Sequence, residues 1–307
     1  MTDSNKIVFF GTPGFAVASL DALLQAGMNV AAVVTAPDKP SGRGLQLTTT
    51  AVKDYAVAHG IPVLQPVKLK DPAFVEALQQ IGAALHVVVA FRMLPEIVWN
   101  MPPMGTINVH GSLLPQYRGA APINWAIING EAETGVTTFK LKHEIDTGDI
   151  LLSDSTPILP DDNAGSVHDR LMLMGGALLV KTVKGLFDGT IKEQPQPADS
   201  GTLKHAPKLF KENMRIDWNQ GSEAVRNFVR GLAPYPAAHC EFQGKTMKVF
   251  TVSQADYHET PAPGKFVVDN VRMLAGTADG WLSIDELQLE GKKRMDAGSF
   301  LRGYKPA

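Results

Sequence analysis

The chain has 307 residues, 44% of them hydrophobic and 20% charged, with a formal net charge of −2. That balance fits a soluble globular protein with a large core and excludes a globally basic chain, so any nucleic-acid contact must come from a local patch. A single cysteine, Cys240, excludes an internal disulfide framework, and no stretch reaches the roughly 20 apolar residues of a membrane span.

The opening MTDSNKIVFFGTPGF has no basic region followed by a long apolar run, so no signal peptide is expected. Residues 6–10, KIVFF, read as a buried parallel strand. GTPG breaks the run, and residues 15–26 carry a helical apolar spacing closed by Gly27. Residues 30–34, VAAVV, read as the next strand. Strand, turn, helix and strand in that order predict a doubly wound α/β sheet. GTPGF lacks the GxGxxG spacing and no acidic residue closes the second strand, which argues against a nicotinamide site. Residues 36–50 read as a Pro- and Gly-rich loop carrying Lys39 and Arg43.

Further strands are predicted at 62–64 and 85–90, with helices at 51–59 and at 71–80, the latter capped by Asp71 with Pro72 at its first position. His86 lies inside the 85–90 run and reads as a core histidine. Residues 123–128 read as a helical face, 134–141 and 150–158 as strands, and 162–186 as a long amphipathic helix containing Gly175 and Gly176. The composition turns polar and Pro-rich from 188 to 207, a linker. Beyond a helix at 222–230, five short alternating segments lie between 238 and 289 and predict a small closed β-barrel of the oligonucleotide-binding type. Cys240 sits in one of them and reads as a small buried apolar residue.

The stretch 105–122, GTINVHGSLLPQYRGAAP, starts as a strand and breaks at Gly111 and Pro115. Asn108 and His110 are two apart, so they share a face at the strand end, with Ser112 close behind. An amide, an imidazole and a hydroxyl are groups that a carbonyl oxygen gathering charge requires. A second stretch, KHEIDTGDILL, offers Asp146 and Asp149 around a Thr147-Gly148 turn. A carboxylate beside an imidazole can hold its tautomer.

NxHxSLLPxYRGAAP followed by DTGDI resembles the formyltransferases that use 10-formyltetrahydrofolate, most closely those acting on initiator tRNA. The resemblance implies a Rossmann-like formyltransferase domain over 1–189, a linker over 190–207 and a C-terminal β-barrel (OB-like) tRNA-binding domain over 208–307. It implies that Asn108, His110 and Asp146 are catalytic, and that Ser112, Leu113, Leu114 and Pro115 line the folate site together with the 91–95 loop. It further implies that Arg43, in the SGRG loop, and Lys208 contact tRNA, within a basic set that includes Lys204, Lys211, Arg215, Arg226, Arg230, Lys292, Lys293 and Arg294. The implied reaction moves a formyl group from 10-formyltetrahydrofolate to the amino group of methionyl initiator tRNA, in a cytoplasmic monomer without a metal. An amino sugar nucleotide is the alternative acceptor, and a non-catalytic RNA-binding protein is the alternative of another class.

Overall fold

The computed structural model describes residues 5–41, 46–197, 203–268 and 271–303. Two compact units divide the chain, one of residues 1–119, 135–156 and 168–204, the other of 120–134, 157–167 and 205–307.

In the first unit a seven-stranded sheet runs in the order Ile150–Pro157, Glu133–Lys140, Thr106–His110, Leu85–Val89, Ile7–Gly11, Val30–Val34, Val63–Leu64. The last five are parallel neighbours, whereas Glu133–Lys140 pairs antiparallel with Thr106–His110. The order reverses beside Ile7–Gly11, so the carboxyl ends of the central strands border a crevice of the kind that binds ligands in doubly wound sheets. Gly11, Val89 and His110 end their strands along that edge.

Alternation along Ile7–Gly11 explains its continuous apolarity. Ile7 and Phe9 enter one core cluster with Leu20, Val87 and Leu179, while Val8 and Phe10 enter another with Leu78, Val88 and Val98. Each side chain so buried is worth about 1.5–3 kcal/mol. The helix Gly14–Gln25 follows the tight GTPG turn, where Ala16 N–H donates to the Pro13 carbonyl at 3.0 Å. Asp71 caps Pro72–Ile81 by accepting from Ala73 N–H at 3.0 Å, as its sequence predicts. In the long helix Ala164–Phe187 the glycine pair serves close packing. A Cβ on Gly175 would lie 3.1 Å from Val109 Cγ1, and one on Gly176 would lie 3.1 Å from the Ala18 carbonyl.

Where a plain loop is expected over 36–50, Lys39–Ser41 and Gln46–Thr48 form an antiparallel hairpin. Pro40 sits opposite Leu47, a placement open to proline only on an edge. Asp38 fixes its base, pairing with Lys53 and accepting from Gln65 Nε2 at 2.8 Å.

The second unit holds an antiparallel sheet in the order Ala238–Phe242, Lys245–Ala255, Trp281–Leu289, Met273–Gly276, Phe266–Val268, with Met295–Asp296 added beside Trp281–Leu289. Register shifts around Thr251 mark an irregularity that bends such a strand. The barrel-class expectation holds as a curled sheet, a half-barrel: among the described residues the first and last strands do not pair. Val225, Val229 and Leu232 of the helix Ser222–Leu232 pack into its core with Cys240, Met247 and Leu282. The short helices Glu96–Trp99 and Ala297–Arg302 carry too few residues for a periodic signal, although Asp296 caps the latter by accepting from Ser299 N–H at 2.8 Å.

Candidate active site

The strand Thr106–His110 sets the first two side chains. Ile107 and Val109 enter the core cluster behind it, so Asn108 and His110 take the opposite face. His110 is 6% exposed, and its Nε2 donates to the Tyr117 carbonyl at 2.9 Å. That bond fixes the proton on Nε2 in the neutral ring and leaves Nδ1 as the nitrogen able to meet a reacting group. Asn108 is half-buried, and among the described residues its carboxamide has no hydrogen-bond partner. Two amide protons therefore remain for a ligand.

Asp146 comes from the turn after Glu133–Lys140. Its Oδ2 lies 3.8 Å from His110 Nδ1 and accepts the Gly119 N–H at 2.9 Å. The backbone at Asp146 is left-handed, with φ +55°. Gly148, two residues on, permits the turn to press on the preceding strand, because a Cβ there would sit 1.5 Å from the Lys140 carbonyl. The other acid, Asp149, is paired with Lys142 Nζ at 2.7 Å. Thus the structure sets Asp146 beside His110, with Asn108 two residues earlier on the same strand face, and pairs Asp149 with Lys142 instead.

The loop after the strand is held from beneath. Thr137 Oγ1 donates to the Ser112 carbonyl at 2.7 Å and accepts from Leu114 N–H at 3.1 Å. Ser112 is 1% exposed and its hydroxyl donates to the Gln116 carbonyl at 2.6 Å, so it shapes the loop. Leu113 and Pro115 are half-buried and Leu114 is buried. Leu113 also packs where Gly135 leaves room, since a Cβ on Gly135 would lie 2.6 Å from Leu113 Cδ2. In the 91–95 loop, Arg92 donates through Nη1 to the Val67 carbonyl at 2.9 Å and through Nη2 to that of Pro66.

Four contributors to the site are not singled out by the sequence, although Tyr117, Arg118 and Gly119 fall within its YRGAAP motif. Two are main-chain groups, the Tyr117 carbonyl and the Gly119 N–H. The others are Arg118 and Gln196, the latter inside the stretch read as linker. Gln196 Nε2 donates to the carbonyls of Asp146 and Gly148 at 2.8 Å each, and its Oε1 accepts from Arg118.

The basic residues divide by what they touch. Arg43 lies outside the described residues. Lys208 is exposed, its Nζ 5.4 Å from the Phe210 ring centroid. Lys211, Arg215, Lys292 and Lys293 are exposed as well. Arg226, Arg230 and Arg294, counted with them from sequence, are otherwise engaged. Arg226 donates to the Pro160 carbonyl, Arg230 to those of Leu159 and Asp162, and Arg294 grips both carboxylate oxygens of Glu286 above the Phe250 ring. Cys240 is buried, and burial pushes its thiol up to about 12, far from a nucleophile's range. Among the described residues no group of three or more His, Cys, Asp or Glu is placed to hold a metal ion, and no helix is long and apolar enough to cross a membrane.

Two family models match the chain: formyl transferase over residues 5–183, and formyl transferase, C-terminal domain, over 208–305. The chain is 50% identical over 307 residues to the methionyl-tRNA formyltransferase of Bacteroides fragilis, covering 97% of this chain and 95% of that protein. It is 51% identical over 310 residues to that of Parabacteroides distasonis, covering 98% and 96%. Among solved structures, HypX from Aquifex aeolicus in complex with tetrahydrofolic acid matches with a TM-score of 0.64 at 20% identity, over 99% of this chain and 49% of that one. The chain thus spans about half the length of HypX. An N-formyltransferase from Helicobacter canadensis, in complex with folinic acid and dTDP-3-aminofucose, matches with a TM-score of 0.66 at 19% identity, over 95% and 100%. At those identities the two structures speak for the fold. With both models matched and half of its residues shared with full-length relatives, the chain belongs to the formyl transferase family.

Proposed function

We propose that this protein transfers the formyl group of 10-formyltetrahydrofolate to the amino group of methionine esterified to initiator tRNA. The observation that carries the reading is the approach of Asp146 to His110 at the carboxyl edge of the sheet, on the strand face that Asn108 shares, in a chain about half identical to methionyl-tRNA formyltransferases.

The amine attacks as the free base. An α-amino group titrates near pH ~7.7–8.0, and esterification lowers that, so the neutral form is available. Attack forms the new C–N bond and moves the carbonyl electron pair onto oxygen. The unengaged Asn108 carboxamide donates to that oxygen, and His110, whose Nε2 is tied to Tyr117, serves it through Nδ1. A proton on Nδ1 faces the Asp146 carboxylate, which balances the charge and passes on the proton shed by the attacking nitrogen. Collapse breaks the bond to the folate nitrogen N10, and that nitrogen takes up a proton. No covalent enzyme intermediate is needed.

Leu113, Leu114 and Pro115 supply the apolar wall for the folate, on a loop whose shape Ser112 maintains. Functionally the segment 1–189 carries the chemistry and 208–307 holds tRNA, with Lys208 and Arg43 on the phosphate backbone. One chain carries the whole trio, so a monomer suffices, acting in the cytoplasm with charged tRNA and the folate donor.

The test is transfer of radiolabelled formyl from the folate donor to charged initiator tRNA, run beside a dTDP-amino sugar. Product on tRNA alone supports the reading; product on the sugar alone overturns it. Asn108→Ala should lower single-turnover transfer by about 10²–10³ while folate binding is retained.

A further inference from the structure

Gln196 lies between the two stretches that the family models match, in a Pro-rich segment with no helix or strand period. Yet its carboxamide is fully used. Both Nε2 protons go to main-chain carbonyls on the catalytic turn, those of Asp146 and Gly148, at 2.8 Å each. Oε1 accepts from Arg118 twice, from Nε at 3.0 Å and Nη2 at 2.6 Å. A carboxylate could accept but not donate, and an ammonium could donate but not accept; a carboxamide of this reach does both.

The bonds close a ring around one carboxylate. Asp146 Oδ2 accepts the N–H of Gly119, the residue after Arg118. Arg118 is held by Gln196, which returns to the backbone of Asp146 itself. The segment is anchored independently two residues earlier, where Gln194 and Ile150 exchange main-chain bonds at 2.7 and 2.9 Å. Asp146 adopts a left-handed backbone that L-residues disfavour, so something must hold it there. Gly148 is pressed so closely on the Lys140 carbonyl that the turn has little room to settle differently.

We infer that Gln196 is a positioning residue for the reaction: through the carbonyls of Asp146 and Gly148, and through Arg118, it holds the Asp146 carboxylate toward His110 Nδ1. The inference rests on the catalytic reading of Asp146. The polar atoms of the Gln196 side chain are all taken by protein groups, so its loss acts on turnover and not on binding.

The experiment is steady-state formylation of charged initiator tRNA by wild type, Gln196→Met, Gln196→Glu, Asp146→Asn and the double variant Gln196→Met/Asp146→Asn, with circular dichroism on each. Gln196→Met keeps the length and removes every bond. Gln196→Glu keeps the Arg118 partner and sets a carboxylate against two carbonyls. Both should lower kcat by about 10- to 100-fold, the loss expected when a reacting group is misplaced by about 1 Å. KM for the folate donor and for tRNA should stay within about twofold. In the Asp146→Asn background Gln196→Met should cost almost nothing more, because it acts through a group already lost. A folded Gln196→Glu with wild-type kcat, a loss confined to KM, or a full additional loss in the double variant would each overturn the inference. Normal turnover by Asp146→Asn would instead remove the catalytic reading beneath it.

Discussion

His86 stands in the middle of a parallel strand, 1% exposed, with its ring centroid 5.1 Å from that of Phe10. Among the described residues its Nδ1 has no partner. Removal from water lowers the imidazole from 6.5 to about 4, and a hydrogen bond with the Val98 backbone opposes part of that shift. The unfolded chain therefore binds the proton more readily than the folded one. Stability is fully present above pH ~6.5 and is lost as the pH falls toward the folded value, by about 3 kcal/mol in all at ~1.4 kcal/mol per pH unit. Between about pH 7.5 and pH 5 the share is about 2 kcal/mol. His86→Leu removes the titration, and its cost from the lost hydrogen bond with the Val98 backbone is the same at every pH. Urea unfolding of both proteins across that range, followed by tryptophan fluorescence, isolates the difference, because their carboxylates titrate alike. The wild-type midpoint should fall by about 1 M more than the variant's, for a slope of about 2 kcal/mol per molar. Parallel midpoints would refute the reasoning, since they would mean that the buried ring takes up its proton without penalty.

Three other outcomes follow from contacts already described. Gly148→Ala places a methyl group 1.5 Å from the Lys140 carbonyl, so the turn must move and formylation should fall by about 10²-fold or more in a protein whose circular dichroism is unchanged. Cys240, with its thiol raised to about 12, should resist a thiol reagent at neutral pH until the protein is unfolded by denaturant. Lys208→Ala should weaken initiator-tRNA binding and reduce the slope of log K against log salt by about 0.7–0.9 if the lysine meets one phosphate.

Much of this was legible before any coordinates. Continuous apolar runs such as KIVFF and LHVVV bury both faces, and a sheet covered on two sides demands them. Asn108 and His110 share a face because alternation is a property of any strand, and Asp71 and Pro72 announced their helix start by capping chemistry. Other features could not be read. The proton on His110 is placed by a main-chain carbonyl, and every residue has one. Gln196 holds the Asp146 turn from 50 residues away, a distance at which no spacing rule applies. Arg226, Arg230 and Arg294 looked like cations awaiting phosphate, because sequence shows the charge and not the carbonyl or carboxylate that occupies it. The half-barrel turned on whether its outer strands meet, and neither strand's own residues decide that.

The glycine pair in the long helix has a bearing on how such an enzyme can change. Val109 stands between Asn108 and His110 and points the other way, toward Gly175. The wall behind that strand is thus thinned at that point to a hydrogen atom. A larger residue at 175 would push on the strand from the rear and shift both front-facing groups together. Anyone seeking new acceptors by randomising this scaffold would do well to leave its back unaltered and vary its loops.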